Sequence, residues 1–96
     1  MPPKHTPAPW KKRRDDDETI TILGKYSGTT IKIAEVYNTT DDETDADLIL
    51  TAPELLTALE IATATLETVV RLDPANIAAK VCIERNRYTI ARAYGR

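Results

Sequence analysis

The sequence predicts an α+β domain: a two- or three-stranded antiparallel β-sheet followed by a helical hairpin with a short lead-in helix. Three observations carry that expectation. Two runs alternate apolar and polar residues, first Ile20 and Ile22 against Thr19 and Thr21, then Ile31 and Ile33 against Thr30 and Lys32. Over residues 55–72 apolar side chains recur at spacings of three and four, the stripe of an amphipathic helix. A second helical pattern follows Pro74, a residue suited to a first helical turn.

Each element can be justified in chain order. Residues 1–9 hold four of the six prolines, and each fixes its own φ while driving its predecessor out of the helical region. They read as an extended arm ahead of a single domain at 10–96. Trp10 begins a third strand on the hairpin's edge. Behind it Lys11, Lys12, Arg13 and Arg14 meet Asp15, Asp16, Asp17 and Glu18, a solvated block that discourages sheets from pairing edge to edge. Gly24 and Gly28 supply positive φ between the alternating runs, so strands occupy 10–37. Ala34, Glu35, Val36 and Tyr37 break the alternation, as a bulge or a doubly buried strand end does.

Residues 38–44 are polar and acidic and read as a loop. Thr44 or Asp45 then caps a short helix over 45–52 that carries Leu48, Ile49 and Leu50. Thr51, Ala52, Pro53 and Glu54 spell a capping box, which ends or kinks that helix at Pro53 and opens another over 53–72. Its stripe is Leu55, Leu59, Ala62, Leu66 and Val69, with Leu56, Thr63 and Val70 alongside. Asp73 as N-cap and Pro74 behind it start a third helix over 74–93, which Gly95 ends. On it Ile77, Val81 and Tyr88 form one apolar line and Ile83 and Ile90 a second. A small monomer cannot cover both, so a homo-oligomer or another partner is expected.

Composition narrows the function. At 96 residues and 42% apolar content the chain suits one compact domain, a size that excludes most enzymes. A net charge of −2 lacks the strongly basic balance of a dedicated nucleic-acid binder. The charge is uneven: residues 41–73 hold nine acids against Arg71, whereas 74–96 hold five bases against Glu84, so these segments attract one another. The single cysteine, Cys82, forms no intrachain disulfide and no cysteine-based metal site. No apolar run approaches the roughly 18 residues of a membrane span, so no membrane partner is expected.

Three stretches resemble a family of small phage and prophage proteins of unknown function. His5, Thr6, Pro7, Ala8, Pro9 and Trp10 are similar to its opening His-Thr-Pro-Gly-Pro-Trp. Residues 45–59, DADLILTAPELLTAL, resemble its "NARLIAAAPELLEAL" helix, and Thr89, Ile90, Ala91, Arg92 and Ala93 resemble its "AIAKA" ending. Ala8, Asp45, Asp47 and the basic block after Trp10 depart from that pattern. The resemblance implies a short strand region followed by two or three helices and no known activity; with the lone cysteine and no membrane span, the cytoplasm of a host bacterium is the expected location. Phage genes of this size often encode inhibitors or decoys aimed at host immunity, including sponges for cyclic nucleotide signals.

The candidate chemistry is that of binding. His5, the single histidine, lies in the arm without the orienting partner that a general base needs. Cys82, between Val81 and Ile83, reads as a small buried hydrophobe. Asp41, Asp42, Glu43, Asp45 and Asp47 lack the glycine and terminal glutamate of a calcium loop, and acids ahead of a helix suit its positive end. No catalytic residue, metal or cofactor is expected. Arg85, Arg87, Tyr88 and Arg92 on the last helix combine guanidinium forks with an aromatic ring, as anion recognition requires. Pairing with Glu54, Glu60 or Glu67 on the preceding helix accounts for them more plainly. Trp10 with Lys11, Lys12, Arg13 and Arg14 could stack on a base and hold phosphates, although an indole folded over the hairpin is the plainer reading. The sequence therefore predicts a non-enzymatic accessory protein that binds a host protein or a small nucleotide ligand. A small nucleic-acid-binding module is the alternative.

Overall fold

A computed structural model describes residues 5–37 and 43–96. The loop expected at Asn38 and the acids Asp41 and Asp42 lie outside the described residues. The chain divides into two compact units, Met1–Glu54 and Leu55–Arg96.

The first unit is a three-stranded antiparallel sheet, β1 (Lys11–Arg14), β2 (Thr19–Tyr26) and β3 (Thr29–Tyr37), in the order β1-β2-β3, followed by helix α1 (Thr44–Leu50). This is the α+β architecture that the alternating runs predict. Register sorts the side chains by face. Ile20 lies opposite Arg14 and Val36, and Ile22 opposite Lys12 and Ala34. On that face Ile20 and Ile22 are fully buried with Ala46 of α1, and Trp10, Ile33, Ala34, Val36 and Ile49 pack around them. Burying each isoleucine contributes about 1.5–3 kcal/mol. The other face carries Lys11 beside Leu23 and Arg13 beside Thr21. Ala34 opposes Ile22 and Lys32 opposes Leu23, so Ile33 is the extra residue of a β-bulge. That bulge turns both Ile33 and Ala34 toward the core.

The hairpin turn corrects one expectation. Ser27 (φ 52°) and Gly28 (φ 80°) form the two-residue connection between β2 and β3, both in the left-handed region that type I′ turns demand. Gly24 is instead an interior residue of β2. It lacks a side chain for steric reasons: a Cβ there would stand 2.7 Å from Ile33 Cδ1, 2.8 Å from Thr6 Cγ2 and 3.1 Å from Trp10 Cδ1. The arm, Thr6 included, therefore folds back over this point. Trp10 donates its indole N–H to the Thr6 carbonyl at 3.0 Å, pinning residues 6–10 as a closed loop.

The acidic block joins β1 to β2 as a hydrogen-bonded turn. The Asp16 carboxylate accepts the N–H groups of Glu18 (2.8 Å) and Thr19 (2.7 Å), and Arg14 donates to the carbonyls of Asp16 and Asp17. Helix α1 starts at Thr44 after Glu43, which makes no side-chain capping bond, in place of the cap expected at Thr44 or Asp45. Its end overturns the capping box. Thr51 is the C-cap of α1, its hydroxyl donating to the carbonyls of Asp47 (3.0 Å) and Leu48 (3.1 Å). The threonine closes one helix at 50, two residues earlier than expected, and does so by donating.

The second unit is built from α2 (Ala52–Leu72) and α3 (Ile77–Ala93). They run antiparallel: Glu60 meets Tyr94 and Glu67 meets Arg87, so numbers rise on one helix as they fall on the other. Leu56, Leu59, Thr63, Leu66 and Val70 line the seam from α2, and Ala79, Ile83, Asn86, Ile90 and Tyr94 line it from α3. Of the expected stripe, Leu59 and Leu66 with the flanking Leu56, Thr63 and Val70 are covered, while Leu55 and Ala62 stay exposed. Glu60 and Glu67 flank the Leu56-Thr63-Val70 row and meet Tyr94 and Arg87 of α3.

The start of α3 is also corrected. Asn76, not Asp73, is the N-cap, its side chain accepting the N–H of Ala79 at 3.0 Å, and Pro74 stays ahead of the helix. The end is as expected. Gly95 (φ 76°) donates to the Arg92 carbonyl and Arg96 to that of Ala91, the bonding pattern of a Schellman cap. Cys82 is exposed, against the expectation of burial, because the α3 seam follows Ala79, Ile83, Asn86 and Ile90 and passes it by. No single helix among the described residues is long and apolar enough to cross a membrane.

Candidate functional site

The basic segment after Trp10 becomes strand β1, and its alternation decides what each cation does. Lys12 and Arg14 point to the face that α1 covers. Lys12 bridges Glu43 (3.1 Å) and Asp47 (2.6 Å), and Arg14 bridges Glu43 (3.2 Å). The Asp47 and Glu43 carboxylates raise the Lys12 pKa, and Lys12 followed by Arg14 lowers that of Glu43. Arg13, on the opposite face, pairs with Asp15 at 2.8 Å. Asp15 also accepts the Thr21 hydroxyl, and that bond first and Arg13 second lower its pKa. Three of the four cations offered to nucleic acid are therefore engaged with the chain's own carboxylates, and Trp10 is packed into the arm.

Lys11 is the exception. It projects from the same face as Leu23, as does Lys25, two residues along β2 and paired with Thr30. Lys11 and Lys25 are thus diagonal neighbours, roughly 7–8 Å apart at the backbone. The folded arm raises a wall of Pro7, Ala8 and Pro9 beside them. Together with Leu23, Gly24 and Thr30 these residues enclose a mainly apolar cleft of about 440 Å³. Among the described residues neither lysine forms an ion pair. Lys32, opposite Leu23, is the next cation on this face, and Glu35 holds it at 2.8 Å. In sequence Lys11 belongs to the basic segment after Trp10, and nothing there marks Lys25 as its neighbour.

The residues expected on the last helix separate. Arg87 lies toward the seam and pairs with Glu67 at 2.9 Å. It sits in a groove of about 460 Å³ with Lys80, Arg71, Glu67 and Glu84, where the two signs nearly cancel. At about 100° per residue, Arg85, Tyr88 and Arg92 fall on the outer side of α3 with Ile77 and Val81. Arg92 stacks over Tyr88 at 5.7 Å, and Arg96 over Tyr94 at 5.4 Å. Desolvation and then the Glu60 carboxylate raise the Tyr94 pKa. Cys82 belongs to this unit and His5 to the other.

Helix α2 carries a feature of another kind. Leu55, Ala58, Ile61, Ala62, Thr65 and Leu72 are exposed on the side of the helix turned away from the seam, where Glu54 at the helix start is the one charge. Leu55 is 53% exposed, Ile61 64% and Leu72 82%; Ile77 (72%) and Tyr88 (65%) are the corresponding residues on α3.

A model of the family described as Salmonella phage P22 protein Y8K6 matches residues 1–96. No curated protein and no solved structure matches the chain.

Proposed function

The chain belongs to the family of Salmonella phage P22 protein Y8K6, and from that premise we propose that it is a non-enzymatic accessory protein that acts by binding. The observation that carries this reading is the exposed apolar surface of the helical hairpin. Ile61 and Leu72 lie open in a row whose one charge is Glu54 at its start, the kind of apolar surface that a partner covers. The α2 stripe suits a second copy of the chain. It mixes small Ala58, Ala62 and Thr65 with Leu55, Ile61 and Leu72, and its one charge, Glu54, stands at its end, so two copies meet with little repulsion. The outer row of α3 suits a partner protein, because Tyr88, Arg85 and Arg92 are residue types enriched at interface hot spots.

In a phage, the partner we assign to that row is a host protein, and the role counter-defence in the host cytoplasm. Nucleic-acid binding is the weaker reading, since Lys12, Arg13 and Arg14 are already paired. The test is plating efficiency of a defence-sensitive phage on cells that express the chain. The wild type is expected to raise plating, and Tyr88→Ala with Arg85→Ala to abolish the rise. Equal plating with and without the wild-type chain would refute the assignment.

A further inference from the structure

We infer that the cleft between the folded arm and the hairpin is a binding site for a small phosphate monoester carried on a flat ring, of which a nucleoside monophosphate is the commonest cellular form. This goes beyond the hairpin contacts and does not depend on them.

Charge selects the anion. Lys11 and Lys25 both line the cleft from one face of the sheet, and among the described residues neither has a carboxylate partner. Every other cation of β1 has one, and so does Lys32. A phosphate monoester carries close to two negative charges at neutral pH and so matches both ammonium groups, whereas a carboxylate matches one. The lining selects the rest of the ligand. Pro7, Ala8, Pro9 and Leu23 offer a flat apolar wall and floor, suited to a ring and wasted on a bare inorganic ion. Thr30 adds a hydroxyl at the rim. The volume lies within the range of small-molecule sites. By contrast, the groove between α2 and α3 mixes Arg71, Lys80 and Arg87 with Glu67 and Glu84 and selects no sign of charge.

The experiment is titration of the full chain with phenyl phosphate, followed through its backbone amide resonances. Saturable shifts are expected at Leu23, Gly24, Lys25 and Thr30. Lys11→Gln and Lys25→Gln should each weaken binding about three- to tenfold, the scale of one exposed charge-assisted contact. Both lysines are exposed and, among the described residues, form no ion pair, so these variants keep the fold. Lys80→Gln, on α3, should bind as the wild type does. Three results would each overturn the proposal: no saturation up to about 10 mM, equal loss in the Lys80 variant, or inorganic phosphate binding as tightly as phenyl phosphate. A failure here leaves hairpin association and plating untouched, and their failure leaves this titration untouched.

Discussion

Replacing Gly24 by alanine tests the claim that the arm is folded onto the hairpin. Elsewhere in a strand such a change stabilises, by about 0.4–1 kcal/mol, because alanine restricts the unfolded chain. Here the new methyl would lie 2.7 Å from Ile33 Cδ1, 2.8 Å from Thr6 Cγ2 and 3.1 Å from Trp10 Cδ1, inside the ordinary carbon contact of about 3.5–4.0 Å. The tip of Ile33 can swing aside. Trp10 cannot turn without breaking its bond to the Thr6 carbonyl, so room is made by lifting the arm. Overpacking costs about 1–3 kcal/mol, and the net effect is a destabilisation of about 1–2 kcal/mol. In a domain of this size each kcal/mol moves Tm by about 4–8 °C. Trp10 is the single tryptophan, so its emission during urea unfolding reports the first unit. Gly24→Ala should lower the urea midpoint and red-shift the emission before any urea is added. A midpoint at or above that of the wild type, with unchanged emission, would refute the packing argument.

Three further outcomes follow from the same geometry. Asn76→Ala should destabilise the helical hairpin by about 1 kcal/mol through loss of its cap, while Asp73→Ala stays near neutral; circular dichroism during urea unfolding reads both, and the reverse order would restore the Asp73 cap. Thr63→Val should stabilise the hairpin by about 0.5–1 kcal/mol, since the buried hydroxyl only donates back to the Leu59 carbonyl, and a lower midpoint would contradict this. Asp15, Asp16 and Glu43 all have lowered pKa values, Asp16 through the backbone N–H groups of Glu18 and Thr19. Their contribution is complete above the unfolded carboxylate range of about 4 and is lost as pH falls through the lower folded values. The Trp10-reported midpoint should therefore hold at neutral pH and fall below about pH 4; constancy to about pH 2 would contradict it.

The sheet was legible because Ile20, Ile22 and Ile31 keep period two, and a bulge near Ala34 was legible as broken alternation. The turn was misplaced because glycine serves two purposes that look alike in sequence: Gly28 supplies positive φ, whereas Gly24 admits the arm. Asp73 and Asn76 both precede a helical pattern, and only the backbone path decides which oxygen reaches an amide three residues on. Which part of α2 is covered was hidden because its apolar arc is wider than one partner helix covers. That Arg87 faces away from Arg85 and Arg92 was readable from helical spacing alone. The Lys11–Lys25 cleft was not, since strand register and the fold of a proline-rich arm bring together residues far apart in the chain.

The central claim is that the exposed apolar stripe of α2 is where the chain meets a second copy. Sedimentation equilibrium of the wild type beside Ile61→Lys tests it directly, because Ile61 is exposed and its replacement leaves the seam intact. The wild type should sediment as a multiple of the single-chain mass that declines on dilution, and Ile61→Lys as a single chain with unchanged helical circular dichroism. A wild type that stays a single chain at high concentration, or a variant with the same assembled mass as the wild type, would contradict the account.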